Sequence, residues 1–135
     1  MAEAGSCQSE VRRHQGLKII RFEWTSDGAG DVSEVGTLNG ISGVIIGVKF
    51  DPDPTDQPSD LYDVQILNLG GADVLMGVGA DAPQARNVTT NYRTPFNSDG
   101  HLVSLYAESL TPAISNAGNA KKGIVNLIMT DEESG

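Results

Sequence analysis

A chain of 135 residues is long enough for one compact core and too short for two ordinary domains. With 18 Asp and Glu against 9 Lys and Arg, its net charge is −9, and a surface that acidic repels phosphate backbones, which disfavours direct nucleic-acid binding. A single cysteine excludes an intrachain disulfide, and no apolar run approaches the roughly 18 residues of a membrane span.

In chain order, residues 1–14 (MAEAGSCQSEVRRH) are polar and aperiodic and read as an arm without a core of its own. They lack the apolar stretch of a signal peptide, so synthesis in a cytoplasm is expected. Arg12, Arg13 and His14 form the one basic cluster, readable as a solvated charge run or as an arm that docks on an acidic partner. LKIIRFEWT (17–25) alternates over its second half, with Ile20, Phe22 and Trp24 on one face and Arg21, Glu23 and Thr25 on the other. That period of two predicts a half-buried strand. The turn SDGAGD leads to a weaker edge-type strand, VSEVGTL (32–38), and Asn39-Gly40 reads as a hairpin turn because both residues tolerate positive φ. ISGVIIGVKF (41–50) is a β-branched strand in which Gly43 and Gly47 signal a bulge or the close approach of a neighbour.

The loop DPDPTDQPSD (51–60) precedes the strand LYDVQILN (61–68), a Gly70-Gly71 turn and the strand ADVLMGVG (72–79). Residues 80–100 are irregular, with a short strand expected at NVTTNYR (87–93). HLVSLYAESL (101–110), a short TPAIS (111–115), the turn NAGNAKKG (116–123) and the strand GIVNLIMT (123–130) complete the pattern. About eight short strands spaced at roughly 8–12 residues, and no amphipathic helix, predict an all-β chain. The expected form is a single β-sandwich or Greek-key barrel over 15–130, flanked by the N-terminal arm 1–14 and an acidic tail, 131–135.

The motifs do not add up to an enzyme. In DPDPTDQPSD an EF-hand loop would need a mid-loop Gly and a terminal Glu, and the twelfth position from Asp51 is Tyr62. Prolines 52, 54 and 58 stiffen the loop, leaving a looser interstrand calcium site from Asp53, Asp56 and Asp60 as the weaker reading and a solvated connector as the stronger. GVGADA (77–82) fits G-x-G-x-x-A, but Pro83 follows and no helix is available to face a pyrophosphate. His101 with Asp99 and Ser98 or Ser104 can be written as a triad, a grouping common by chance. Cys7, in an arm, is a poor nucleophile candidate, and the chain has too few Cys and His for zinc. Asn87-Val88-Thr89 is a glycosylation sequon without a secretory signal. No cofactor is expected.

Two stretches resemble a known pattern. LYDVQILNLGGADVLMGVGA (61–80) and LTPAISNAGNAKKGIVNLIM (110–129) are similar to segments of small all-β virion proteins of tailed bacteriophages, and ISGVIIGVKFDP (41–52) fits the strand before their proline-containing loop. Those proteins often carry an Arg soon after the Gly-x-Gly; here Arg86 is displaced behind ADAPQA. The resemblance implies a non-enzymatic virion component, assembled in the host cytoplasm. Its leading form is a head decoration (cement) protein that binds the major capsid protein lattice and copies of itself, with a trimer as one arrangement. A tail, neck or fibre-base protein is the alternative, and a carbohydrate-binding β-sandwich a more distant one, with Tyr62, Tyr92 and Tyr106 as its candidate platforms. The expected partner-binding residues are Arg12 and Arg13 in the arm and Arg86, Tyr92 and Arg93 in the polar segment 84–96.

Overall fold

The computed structural model describes residues 5–32, 35–84 and 91–130, apart from the side chain of His14. Among them are seven strands: β1 (Ser6–His14), β2 (Leu17–Thr25), β3 (Leu38–Pro52), β4 (Asp63–Leu67), β5 (Tyr92–Arg93), β6 (Ser104–Ser115) and β7 (Lys122–Thr130). The chain is all-β. The strands are ordered β1-β2-β7-β3-β6-β4, with β5 against β3, and every pair is antiparallel.

Two long strands fold this path back over a core. The first part of β3 pairs with β6 and its second part with β7; β6 in turn gives its second part to β4. Register shifts mark the bends. One extra residue of β3 lies between Leu38 and Ile41, one of β6 stands opposite Ile41 to Gly43, and Ile46 bulges between the pairs Ile45↔Met129 and Gly47↔Ile128. Bulges of this kind bend a strand and raise its twist. Gly43 has φ +138° and no space for a Cβ, which would strike the Thr130 carbonyl, so the expected close approach is present.

The alternation read from the sequence sets the core. Ile20, Phe22 and Trp24 of β2 face inward beside Val125, Leu127 and Met129 of β7 and Val48 and Phe50 of β3, all at most 1% exposed. Val64 and Ile66 of β4 and Leu110 and Ile114 of β6 supply the facing layer, and Trp24 meets Tyr62 across it at 5.6 Å between ring centroids. Each such side chain contributes about 1.5–3 kcal/mol by leaving water. The buried Lys18 ammonium is satisfied by the Ser42 carbonyl at 2.6 Å.

Several expectations are corrected. Residues 6–14 are not a free arm: β1 pairs with β2 over its whole length, from Ser6↔Thr25 to His14↔Leu17, through a turn with positive φ at Gln15 and Gly16. Asn39-Gly40 is no hairpin turn. It lies inside β3 and only Gly40 has positive φ, whereas a type I′ turn needs it at both residues. Residues 72–79 form turns rather than a strand, because Asp73 collects the backbone N–H groups of Ile66, Leu75 and Gly77 on its carboxylate. These turns lie along the outer edge of β4: Val64 donates to the Gly79 carbonyl, Val74 to that of Ile66, and Ala82 to that of Tyr62. Of the strand expected at 32–38, Val32 makes a single bridge to Ile114, 35–37 are not strand, Leu38 begins β3, and 33–34 lie outside the described residues. Of that expected at 87–93, Tyr92–Arg93 is a strand and 87–90 lies outside the described residues.

Candidate partner-binding face

Strand alternation gives the sheet a second, solvent-facing side, and its composition is unusual. Register places three rows of side chains across it. The central row runs Glu10, Arg21, Asn126, Lys49, Tyr92 from β1 to β5. On one side lie Arg12, Ile19, Ile128 and Gly47; on the other lie Gln8, Glu23, Ile124 and Asp51. Three isoleucines are thus only partly covered on a face where period-2 patterning normally puts polar residues.

Four charges of this face, Glu10, Arg12, Arg21 and Glu23, are linked by ion pairs. Glu10 Oε1 lies 2.7 Å from Arg12 Nη2 and 3.5 Å from Arg21 Nη1, and Arg21 Nη1 lies 2.9 Å from Glu23 Oε2. Exposed pairs of this type stabilise a fold by only ~0–1 kcal/mol, so their main effect here is to hold side-chain positions. Lys49 Nζ stands 5.3 Å from the centre of the Tyr92 ring, which is 57% exposed. Between these groups is an open hollow of about 440 Å³ reaching from Arg12 and Ile19 to Lys49 and Tyr92. A second hollow of about 280 Å³, toward Glu23 and Lys122, shares Arg21, Asp51 and Ile124 with it.

Of the residues expected to touch a partner, Arg12 and Tyr92 therefore meet on one surface although 80 positions separate them. Arg93 faces the other way. Its guanidinium stands 5.3 Å over Phe50, with Nη1 donating to the carbonyls of Val78 at 2.7 Å and Ala80 at 2.6 Å, and Nη2 to that of Asp81 at 3.1 Å. Its role is to fasten the 78–81 turns to the sheet. Arg13 is exposed and falls on the opposite phase of β1 from Arg12. Arg86 lies outside the described residues, as do the sequon Asn87-Val88-Thr89 and the tail 131–135. The sequence reading missed Ile19, Arg21, Lys49, Ile124 and Ile128. The signal was present: in Ile19-Ile20, and in GIVNLIM (123–129), both phases of the alternation carry isoleucine or other apolar residues.

The remaining motifs hold backbone together. Asp53 Oδ2 accepts from the N–H groups of Thr55 and Asp56, Asp60 Oδ1 from that of Gln84, and Asp56 lies 3.6 Å from Lys122 Nζ. The three carboxylates thus have different partners, and among the described residues no group of three or more His, Cys, Asp or Glu side chains is placed to hold a metal ion. GVGADA is a run of turns closed by Ala82 against Tyr62; Pro83 and Gln84 after it are not helical, and 85–90 lie outside the described residues. His101 is exposed on a turn organised by Asn97, whose Oδ1 accepts from the N–H groups of Asp99 and His101; no hydrogen bond joins its imidazole to Ser98, Asp99 or Ser104. Burial pushes the Cys7 thiol up, the Ser9 hydrogen bond opposes this and Glu23 adds to it, so less thiolate forms at neutral pH. Trp24 and Tyr62 lie in the core; of the tyrosines, Tyr92 and Tyr106 are exposed, and Phe96 is a further exposed ring.

Comparison with protein-family models, curated proteins and solved structures gives no match for this chain. What the fold and the site define is an all-β module with one amphipathic sheet face.

Proposed function

We propose that this protein is a bacteriophage virion structural protein, a head decoration (cement) protein that attaches to the major capsid protein lattice through the outer face of β1, β2, β7, β3 and β5. The observation that supports an attachment role is the outer face itself: Ile19, Ile124 and Ile128 partly covered and Tyr92 exposed, among charged side chains on a chain of net charge −9. Apolar anchors with Arg and Tyr around them are the composition of protein interfaces, and three acids balance three bases there (Glu10, Glu23, Asp51; Arg12, Arg21, Lys49), which removes the repulsion the rest of the surface would exert. Placement in a virion is supported by the resemblance of 61–80 and 110–129 to small phage virion proteins.

The fold suits this task. A lattice-binding protein needs a rigid surface of fixed shape, and rigid, pre-organised surfaces lose less entropy on docking. Protein composition of purified particles tests the reading. A decoration protein is present in numbers comparable with the lattice positions of the capsid; a few copies per particle would move it to the tail, neck or fibre base, and absence would overturn the virion reading.

A further inference from the structure

The two ends of the sheet are treated differently. The outer edge of β4 is closed by the 72–82 turns, whereas no strand among the described residues lies along the outer edge of β1. The described residue Gly36 meets this end of the sheet through its carbonyl, which accepts from the Ser9 hydroxyl at 2.6 Å; a nine-residue edge with no strand beside it among the described residues offers a row of backbone donors and acceptors to another strand. We propose that two copies of this chain pair antiparallel along β1, about a two-fold axis at Val11, so that Glu10 of each copy faces Arg12 of the other.

Geometry limits the possible registers. In an antiparallel ladder alternate residues turn their N–H and C=O to the same side, so the outward-turned residues of one copy meet outward-turned residues of the other. Residue numbers of facing positions therefore sum to an even number, and this also keeps the two core faces on the same side of the joined sheet. The charge pattern of β1 then selects among these registers. Centred on Val11, Glu10 meets Arg12 twice, on the solvent-facing side. Centred on Glu10 or on Arg12, like charges would lie directly opposite each other, which destabilises a pair. Charged residues on an edge ordinarily block pairing, but here the signs alternate about one point and are self-complementary. The Glu10–Arg12 contact within one chain, 2.7 Å, shows that the two side chains already occupy the same face. Pairing would also set two outer faces side by side, presenting a surface in duplicate to a repetitive lattice.

Sedimentation velocity of the full chain across a concentration series tests the pairing, together with oxidative cross-linking in a Cys7→Ser background. Val11→Cys sits on the axis, where opposite Cβ atoms at about 4.5–5.5 Å approach disulfide range, and is expected to cross-link efficiently. Gln8→Cys would lie roughly 20 Å from its counterpart at ~3.4 Å per residue and is expected not to. Glu10→Arg or Arg12→Glu alone should weaken the dimer on the order of ten-fold by placing like charges across the axis, and the double reversal should restore it. Thermal melts of each variant separate loss of pairing from loss of folding. A monomer at every concentration, equal cross-linking at both positions, or a double reversal that stays as weak as the folded single variants overturns the register. A monomer that still coats capsids would overturn the pairing and leave the decoration reading standing.

Discussion

Tyr92 and Arg93 are consecutive residues of β5 that lie on opposite sides of the sheet. Tyr92 is solvent-facing under Lys49, while Arg93 stands over the buried Phe50 and holds the carbonyls of Val78, Ala80 and Asp81. The pair therefore separates binding from folding within one dipeptide. Arg93→Ala removes a charged donor from three carbonyls and should lower stability by about 2 kcal/mol. Arg93→Lys should recover only part of this, since a compact ammonium does not reproduce the guanidinium fork. Tyr92→Ala should change stability by no more than ~1 kcal/mol, the size of an exposed cation–π contact. Urea unfolding of the three variants checks the order, and equal losses for Tyr92→Ala and Arg93→Ala would contradict it.

On the outer face, the account predicts that Ile128→Asp reduces capsid occupancy by at least ten-fold, the effect of losing an interface anchor worth more than ~1.4 kcal/mol. Arg12→Glu and Lys49→Glu, at the margins of the hollow, should act less strongly and mainly on the association rate, with a marked salt dependence. Binding of each purified variant to particles stripped of this protein measures both effects. Unchanged occupancy for all three would remove this face from the interface.

Gly123 is required by its neighbour. A Cβ at this position would lie 2.6 Å from Cζ2 of Trp24, a buried ring that cannot move without displacing Tyr62. Gly123→Ala is expected to cost about 1–3 kcal/mol by overpacking and to shift the emission of the single tryptophan. Unfolding curves followed by that fluorescence test it; wild-type stability would show that the two layers yield more easily than this packing implies.

Burial raises the Tyr62 hydroxyl well above its ordinary range, against a smaller lowering by Arg93 and with a further rise from Asp51. The folded state then holds this proton more tightly than the unfolded state. The corresponding stability is complete below about pH 10, the unfolded tyrosine value, and is lost at ~1.4 kcal/mol per pH unit as pH rises toward the folded value. Tyr62→Phe keeps the ring and should flatten this alkaline loss. Unfolding free energies measured from neutral pH to above pH 11 decide it, and an identical slope in the variant would assign the loss to another group.

How far the sequence revealed this arrangement depended on burial. LKIIRFEWT was legible to the residue because β2 is central and its inward phase carries Ile20, Phe22 and Trp24. β7 was legible for the same reason. β1 was not, because an edge strand with a half-buried inner phase of Cys7, Ser9 and Val11 carries little apolar alternation. ADVLMGVG has the composition of a strand, yet one carboxylate, Asp73, turns the chain by capturing three N–H groups, and that effect leaves no periodic trace. Asn39-Gly40 marked a true positive-φ position but not its use, since an irregular strand and a hairpin turn can both place a glycine there. The candidate face was half legible: Arg12 and Tyr92 were singled out separately, and only the register of five strands brings them together.

The central claim, that this chain coats a capsid through the outer sheet face, is tested most directly by a reconstruction of the purified particle. The account predicts density for the all-β module at repeated positions over the capsid exterior, with Ile19, Ile124, Ile128 and Tyr92 turned toward the major capsid protein. A particle whose shell lacks this density, or one in which that face looks outward to solvent, would contradict it.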